Sequence, residues 1–243
     1  MNTELIATML KELNLPGMAE RFTALMSLPM QRRPALDVCV SRMIEAEQCH
    51  RRDALTERLL KAAKLRFTAH IEDIECSVTR NLTEAMLSEV ADCSFIRRGE
   101  QLLITGATGC GKSFLACAIG RQACTLGFRT SYMNLNRFMD TIAQSRLDGT
   151  FQKMLNKLDK TDLIILDDFG LQPLTPDTRI ALLQILEERY ERKAAIIASQ
   201  LPLKNWYDYI GDDTLADAIM DRLVNSSIHI DLKGESMRGR RKR

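Results

Sequence analysis

The sequence predicts an α/β protein in which helices cover both faces of a parallel sheet and a small helical domain comes first. Two observations carry this prediction. From residue 101 onward, apolar runs of strand length alternate with segments of helical length, the order from which parallel sheets are built. Residues 163–166 read Leu-Ile-Ile-Leu without a polar interruption, which is typical of a strand buried on both faces.

Residues 1–68 are predicted to form a helical domain that contacts DNA, a partner protein or a second copy of the chain. Apolar residues of 3–14 recur at helical spacing until Pro16-Gly17 ends the pattern. A second helix is expected over 18–28, and a long helix is expected from about residue 35 into the sixties. The apolar stripe of the long helix comprises Leu36, Val40, Met43 and Ile44.

The rest of the chain divides into a linker, an alternating domain and a basic tail. Residues 69–98 are predicted to be a linker that also contributes to the nucleotide pocket, with one helix over 82–91. The alternating domain covers 99–232 before the tail at 233–243. The predicted strands cover 101–105, 129–134, 162–167, 194–199 and 228–232, and the predicted helices cover 112–126, 135–147, 176–192 and 214–224.

A phosphate-binding pattern follows the first predicted strand. Residues 106–113 read Gly-Ala-Thr-Gly-Cys-Gly-Lys-Ser, which fits G-x4-G-K-[ST]. The glycines let backbone N–H groups converge on phosphate oxygens, and the next helix adds the positive end of its dipole. Lys112 would reach the β- and γ-phosphates of ATP, and Ser113 would hold the bridging Mg²⁺. The alternative is a glycine turn with a solvated lysine. The predicted nucleotide-binding residues are Gly106, Ala107, Thr108, Gly109, Cys110, Gly111, Lys112, Ser113 and Phe114.

Two carboxylates, Asp167 and Asp168, end the apolar run of the third predicted strand. Ligands of parallel sheets bind at the carboxyl ends of the strands, so these side chains are expected beside the phosphate-binding loop. Asp167 is the predicted partner of Ser113 in binding Mg²⁺, either through water or through the Ser113 hydroxyl. Asp168 is the predicted residue that polarises the attacking water. The alternative is a solvated turn before Gly170.

The amino-acid composition indicates the cellular compartment of the protein. The chain has 243 residues, of which 45% are apolar, enough for a substantial core. Its seven cysteines form no C-x-x-C pair and are interpreted as reduced thiols. No signal peptide is recognisable, and no run approaches the roughly 18 apolar residues of a membrane span. The expected location is cytoplasmic, with no membrane partner.

Basic residues cluster in three places: the tail, the far end of the long helix, and the region between the second and third strands. The tail, 233–243, holds six basic residues and one acidic residue. Such clusters favour contact with nucleic-acid phosphates, although a solvated helix face or a solubilising tail is the alternative. The low aromatic content favours duplex over single-stranded DNA. The predicted DNA-binding residues are Arg51, Arg52, Arg58, Lys61, Lys64, Arg146, Lys153 and Lys157.

Two further strings resemble AAA+ ATPases. In that class a strand between the two motif strands ends in a polar residue that senses the γ-phosphate, and Ser199-Gln200 stand in that place. Arg222 resembles the arginine that one subunit inserts into the site of its neighbour. The alternative is that Arg222 pairs with Asp217 or Asp221 on its own helix. The predicted catalytic set is Lys112, Asp167, Asp168, Ser199, Gln200 and Arg222.

The whole chain resembles the IstB family of transposition helper ATPases, which are relatives of the helicase loader DnaC. The strings that carry the resemblance are RLLKAAK at 58–64, RRGE at 97–100, ILEERY at 185–190 and ADAIMDRL at 216–223. The resemblance implies an ATP- and Mg²⁺-dependent homo-oligomer with sites at subunit interfaces. It further implies that this oligomer binds double-stranded target DNA and helps a transposase select and use it.

Two departures from the AAA+ pattern qualify this expectation. Asp168 stands where most AAA+ proteins have a longer glutamate, so hydrolysis is expected to be slow and dependent on assembly. Only eleven residues follow Leu232, which predicts no C-terminal helical lid. The alternatives are a DnaC-like replicative helicase loader, a small-molecule kinase that uses the same loop, and a nucleotide-dependent clamp with negligible turnover.

Overall fold

The computed structural model describes residues 3–237, and the chain divides into two compact units, Met1–Arg58 and Leu59–Arg243. The division lies ten residues before the predicted end of the helical domain at residue 68. Its physical reason is that Leu59 and Ala63, in the last turns of the long helix, pack against Cys124 in the second unit.

Three helices build the first unit: α1 (Thr3–Glu12), α2 (Pro16–Met26) and α3, whose full extent is Leu36–Ala63. Pro16 begins α2 because its fixed φ and missing N–H suit the first helical turn. The carboxylate of Glu47, on α3, accepts the N–H groups of Gly17 (2.9 Å) and Met18 (3.2 Å) and so caps α2. A Cβ on Gly17 would lie 2.6 Å from the carbonyl oxygen of Ala46, so this approach requires glycine.

The second unit begins with the end of α3 and two short helices, followed by strands that alternate with helices. The elements are α4 (Glu84–Ala91), α5 (Ser94–Arg98), β1 (Gln101–Gly106), α6 (Lys112–Thr125), β2 (Thr130–Asn134), α7 (Leu135–Leu147), α8 (Phe151–Asp159), β3 (Leu163–Phe169), α9 (Pro176–Arg189), β4 (Ala194–Ser199), α10 (Trp206–Ile210), α11 (Asp213–Val224) and β5 (Ser227–Leu232).

The five strands form one parallel sheet in the order β2-β3-β4-β1-β5. Alternate residues of β1 enter two different cores, because Leu102 and Ile104 pack with α4, α5 and α6 whereas Leu103 packs with α7 to α11. Helices therefore cover both faces, which confirms the predicted α/β fold. β4 also lies between β1 and β3, as the AAA+ resemblance requires.

Several element ends differ from the predicted ones for local reasons. β3 continues through both carboxylates to Phe169, with a register shift after Leu166. α9 ends at Arg189 rather than 192, because Tyr190 leaves the helical region and Glu191 takes a positive φ of 53°. The sequence did not predict α5 and α10, since five residues are too few to display a helical period.

After β5, the described residues 233–237 contain no α-helix. The tail residues 238–243, and with them most of the predicted basic charge, lie outside the described residues. Among residues 3–237, no helix is long and apolar enough to cross a membrane.

Candidate nucleotide site

The phosphate-binding loop connects β1 to α6 and depends on its glycines. Gly106, Gly109 and Gly111 have φ values of 143°, 89° and 100°, a region that residues with a Cβ rarely adopt. A Cβ on Gly106 would also collide with the backbone oxygen of Leu232 on the neighbouring strand β5. The loop therefore has the compact backbone that the sequence pattern predicted, and Gly111 is the N-cap of α6.

Lys112 and Ser113, the first two residues of α6, point in different directions. The Lys112 ammonium donates to the carbonyl oxygens of Gly106 (2.8 Å) and Ala107 (2.9 Å), so it lies over its own loop. The Ser113 hydroxyl donates to Asp167 Oδ1 at 2.9 Å. The two sequence motifs, 54 residues apart, thus meet in one hydrogen bond.

Asp167 is only 1% exposed and its two carboxylate oxygens have separate partners. Oδ1 accepts from Ser113 and from the backbone N–H of Asp168, and Oδ2 accepts from the hydroxyl of Tyr132 at 2.6 Å. Burial, together with the hydrogen bond to Asp167, raises the pKa of Tyr132 far above its usual value. Tyr132 therefore stays a donor, and it fixes the carboxylate from the β2 side.

Asp168 has a strained backbone and a polar side-chain environment. Its φ is 60°, in the left-handed region that costs a residue with a side chain about 1 kcal/mol or more. Asp168 Oδ2 accepts from Asn134 Nδ2 at 2.5 Å and from Arg66 at 3.3 Å. Because β2 pairs with β3 in the register Asn134 opposite Asp167, the end of β2 delivers this amide to the site.

Ser199 and Gln200 separate at the end of β4. Ser199 is fully buried, donates to the carbonyl oxygen of Phe169 (2.6 Å) and accepts from the N–H of Leu201 (3.0 Å). Gln200 instead lines the nucleotide cavity, and its Oε1 accepts from the Thr108 hydroxyl of the loop at 2.5 Å. Of the two predicted sensors, Gln200 is the one that the structure brings to the phosphate-binding loop.

Arg222, on α11, lies away from the cavity of its own chain. Its guanidinium donates to Glu187 on α9 at 2.8 Å and to the carbonyl oxygen of Ala218 at 2.8 Å. The alternative pairing with Asp217 or Asp221 is not what the structure shows, although Arg222 is paired within its own unit.

A cavity of about 710 Å³ opens beside the loop and is lined by both polar and apolar side chains. Two of the apolar lining residues, Phe67 and Phe114, have ring centroids 6.3 Å apart. The residues that line the cavity are Arg66, Phe67, Asp73, Ile74, Glu75, Arg80, Thr108, Gly109, Gly111, Lys112, Ser113, Phe114, Asp168, Leu171, Gln200 and Met237. Cys110, by contrast, turns its thiol into the core and is 1% exposed.

Segments outside both motifs also hold the loop. Arg80 of the linker donates to the carbonyl oxygen of Cys110 at 3.0 Å, while its own carbonyl oxygen accepts from the N–H of Lys233 at 3.0 Å. The N–H of Met237 donates to the carbonyl oxygen of Gly109 at 3.0 Å. No local sequence pattern marked Arg66, Arg80, Tyr132 or Asn134 as site residues.

The donor set fits Mg²⁺ held jointly by protein and nucleotide. Among the described residues, no group of three or more His, Cys, Asp or Glu side chains could hold a metal by itself. A hydroxyl and a carboxylate, Ser113 and Asp167, do lie together at the loop. Mg²⁺ in phosphate sites commonly takes one or two such oxygens and completes its shell with phosphate and water, so the residues fit this ion.

The predicted DNA-binding residues lie outside the cavity and are exposed. Arg51 pairs with Glu47 at 2.8 Å, so part of its charge is neutralised within the first unit. Arg146 pairs with Asp177 at 3.5 Å and covers the ring of Phe151. The remaining predicted residues are Arg52, Arg58, Lys61, Lys64, Lys153 and Lys157.

Comparison with known proteins gives one family. Residues 8–243 match the model of the family described as IstB-like ATP binding protein. The chain is 38% identical over 234 residues, or 96% of each protein, to the putative insertion sequence ATP-binding protein y4pL of Sinorhizobium fredii. It is 31% identical to the insertion sequence IS5376 putative ATP-binding protein of Geobacillus stearothermophilus, over 95% of this chain and 92% of that protein.

Solved structures share the fold at low sequence identity. The replication initiator DnaA bound to AMPPCP and single-stranded DNA aligns with a TM-score of 0.59 and 22% identity, over 71% of this chain and 52% of that chain. The DnaC helicase loader aligns with a TM-score of 0.57 and 19% identity, over 70% of this chain and 100% of that chain. These likenesses show that the chain shares the fold of these proteins.

Proposed function

The chain belongs to the family of IstB-like ATP binding proteins, and from this membership we propose an ATP-dependent DNA-binding ATPase that oligomerises on duplex target DNA. In this proposal it helps a transposase select and use that target in DNA transposition. The names of the relatives, which place them in insertion sequences, support the transposition role. The observation that carries the ATPase role is the hydrogen bond between Ser113 and Asp167 beside the phosphate-binding loop.

The residues of the site have complementary tasks in ATP hydrolysis. The backbone N–H groups of the loop and the Lys112 ammonium would bind the phosphates. Bound Mg²⁺, held by Ser113 and Asp167, would neutralise charge that develops on the transferring phosphoryl group. Asp168 would orient and polarise the attacking water, with Asn134 fixing its carboxylate. Gln200, which accepts a hydrogen bond from Thr108 of the loop, would contact the γ-phosphate.

Assembly would complete this site from a second subunit. Arg222 lies outside the cavity of its own chain, so any action on phosphate would occur in a neighbour. Arg222 would then have to leave its ion pair with Glu187 in order to contact the γ-phosphate in the neighbouring subunit. Such an arginine makes hydrolysis depend on oligomer formation.

The first test is assembly on DNA. Light scattering of the protein with duplex DNA and a non-hydrolysable ATP analogue is expected to show an oligomer that disappears when either ligand is omitted. Arg222→Ala is expected to bind nucleotide normally but to lose ATPase activity in the assembly. A protein that remains monomeric with both ligands would sink the proposal.

The second test separates binding from turnover. Lys112→Ala is expected to weaken nucleotide binding about ten- to hundredfold, since a charge-assisted hydrogen bond contributes about 1.5–3 kcal/mol. Asp168→Asn is expected to retain binding and assembly while losing phosphate release. Lys204→Ala, which removes an exposed lysine outside the cavity, is the matched control. If Asp168→Asn hydrolyses ATP normally, Asp168 is not the residue that polarises water.

The identity of the client is the third test. A helicase loader would share this fold, because the DnaC loader aligns along its full length. Pull-downs with a transposase encoded beside this gene and with the replicative helicase of the same cell distinguish the two. Capture of the helicase alone would replace transposition by helicase loading.

A further inference from the structure

Arg66 is a cation at the carboxylate pair that belongs to neither nucleotide motif. One nitrogen of its guanidinium lies 3.3 Å from Asp168 Oδ2 and 3.6 Å from Asp167 Oδ2. Lys112, the cation that the motif supplies, instead donates to the carbonyl oxygens of Gly106 and Ala107. Arg66 therefore neutralises the two aspartates in this structure.

The chain holds Arg66 in place from both sides. The last turn of α3 packs through Ala63 against Cys124, and Lys64 then turns the backbone with a φ of 53°. On the other side, the Arg66 guanidinium covers the ring of Phe67 at 5.3 Å, and Phe67 in turn contacts Phe114. Its position is thus set by packing as well as by charge.

Arg66 contacts both carboxylates that a metal site would use, although it contacts Asp167 through Oδ2 and Ser113 contacts Oδ1. Asp167 Oδ1 is already shared by Ser113 and the N–H of Asp168, and Oδ2 by Tyr132. A divalent ion that binds Asp167 and faces Asp168 places its charge close to the guanidinium, and like charges at this range repel strongly. An arginine guanidinium stays protonated in proteins, so the Arg66 side chain remains a cation in this competition.

We propose that Arg66 is a positioning residue that competes with Mg²⁺ for the Asp167–Asp168 pair and so sets the metal requirement of nucleotide binding. Binding of the Mg²⁺–nucleotide complex moves the guanidinium off the carboxylates. A nucleotide without metal, which carries more negative charge, gains from keeping Arg66 nearby. The inference rests on the proposed assignment of Asp167 to the metal, and it goes beyond that assignment by naming what the metal displaces.

The experiment measures binding, in the full-length protein without DNA. A fluorescent non-hydrolysable ATP analogue is titrated at several Mg²⁺ concentrations and in EDTA. Arg66→Gln is expected to lower the half-saturating Mg²⁺ concentration and to weaken binding in EDTA, each about two- to fivefold, the range of a partly exposed charge contact. Arg66→Lys, which keeps the charge but loses the planar fork, is expected to lie between Arg66→Gln and the wild type. Lys204→Gln removes an exposed charge outside the cavity and is expected to change neither value.

If Arg66 competes with Mg²⁺, Arg66→Gln requires less Mg²⁺ for binding but binds the analogue more weakly in EDTA. A purely structural role of Arg66 would instead weaken binding in both conditions. If Arg66→Gln weakens binding equally with and without Mg²⁺, or leaves the half-saturating concentration unchanged, the proposal is overturned. Should Arg66→Gln fail to fold by circular dichroism, the same criteria apply to Arg66→Lys. A wild-type protein that binds the analogue independently of Mg²⁺ overturns the metal assignment as well, whereas failure to assemble on DNA affects the proposed function alone.

Discussion

The two units of the chain differ in how completely they bury their apolar side chains. In the second unit, the central strands β1, β3 and β4 are almost entirely inaccessible, and two apolar clusters cover the faces of the sheet. In the first unit, α1 exposes Leu5 by 55% and α3 exposes Leu36 by 81%. The second unit therefore contains the core of an independent domain, and the first leaves apolar stripes on its surface.

The apolar stripe that the sequence predicted along α3 is largely exposed. Val40 and Ile44 are exposed together with Leu36, and Leu5 and Met9 are exposed on α1. Helical periodicity identifies an apolar face but not the surface that covers it. The first unit is held by a few specific contacts, and the three predictions below compare one buried contact of the second unit with two of the first.

The largest effect is expected in the second unit at Arg189. This buried guanidinium donates to the carbonyl oxygens of Leu158, Thr161, Asp162 and Ala194, and burial lowers its pKa to about 10. Arg189→Met is expected to reduce the free energy of unfolding by about 3 kcal/mol, since several buried acceptors lose their donor. Guanidinium denaturation followed by circular dichroism measures the loss. Arg192→Met, at an exposed position, should change stability by less than about 0.5 kcal/mol. Equal effects of the two would show that the carbonyl contacts contribute little.

An intermediate effect is expected inside the first unit at Leu25, which is 3% exposed on α2. Leu25→Ala is expected to lower the local opening free energy of residues 3–58 by about 2–3 kcal/mol, because a buried leucine leaves a cavity. Native-state hydrogen exchange measures this opening separately from unfolding of the sheet. Leu5→Ala, on the exposed stripe, should cost less than about 0.5 kcal/mol. A large cost at Leu5 would mean that the stripe is covered in solution.

The smallest effect is expected at Glu47, which caps α2. Burial alone would raise its pKa, but the hydrogen bonds from Arg51 and from the N–H groups of Met18 and Gly17 lower it overall. Stability linked to a lowered pKa is present above the unfolded value, near 4.5, and is lost as pH falls through the folded value. Glu47→Gln is expected to cost roughly 1 kcal/mol at neutral pH and to remove this acid dependence of α2 protection. Hydrogen exchange as a function of pH measures both, with exposed Glu57→Gln as the control. If the pH dependence of α2 protection is unchanged in Glu47→Gln, a group other than Glu47 causes it.

Features that contiguous residues encode could be predicted from the amino-acid sequence alone. The phosphate-binding loop requires glycines at 106, 109 and 111, and buried parallel strands require uninterrupted apolar runs, so both could be predicted from short strings. The family followed from strings spread along the chain. The alternation of strand and helix fixed the class of fold, because few other arrangements bury such runs on both faces.

The other side chains of the nucleotide site are far apart in sequence, and folding brings them together. Tyr132 and Asn134 reach the aspartates because β2 pairs with β3, and Arg66 arrives from 102 positions before Asp168. At the end of β4, a one-residue alternation buries Ser199 and turns Gln200 to the loop. Such contacts depend on strand register and on helix packing between residues that are far apart in sequence. A sequence pattern of a few residues contains no information on which distant residues meet.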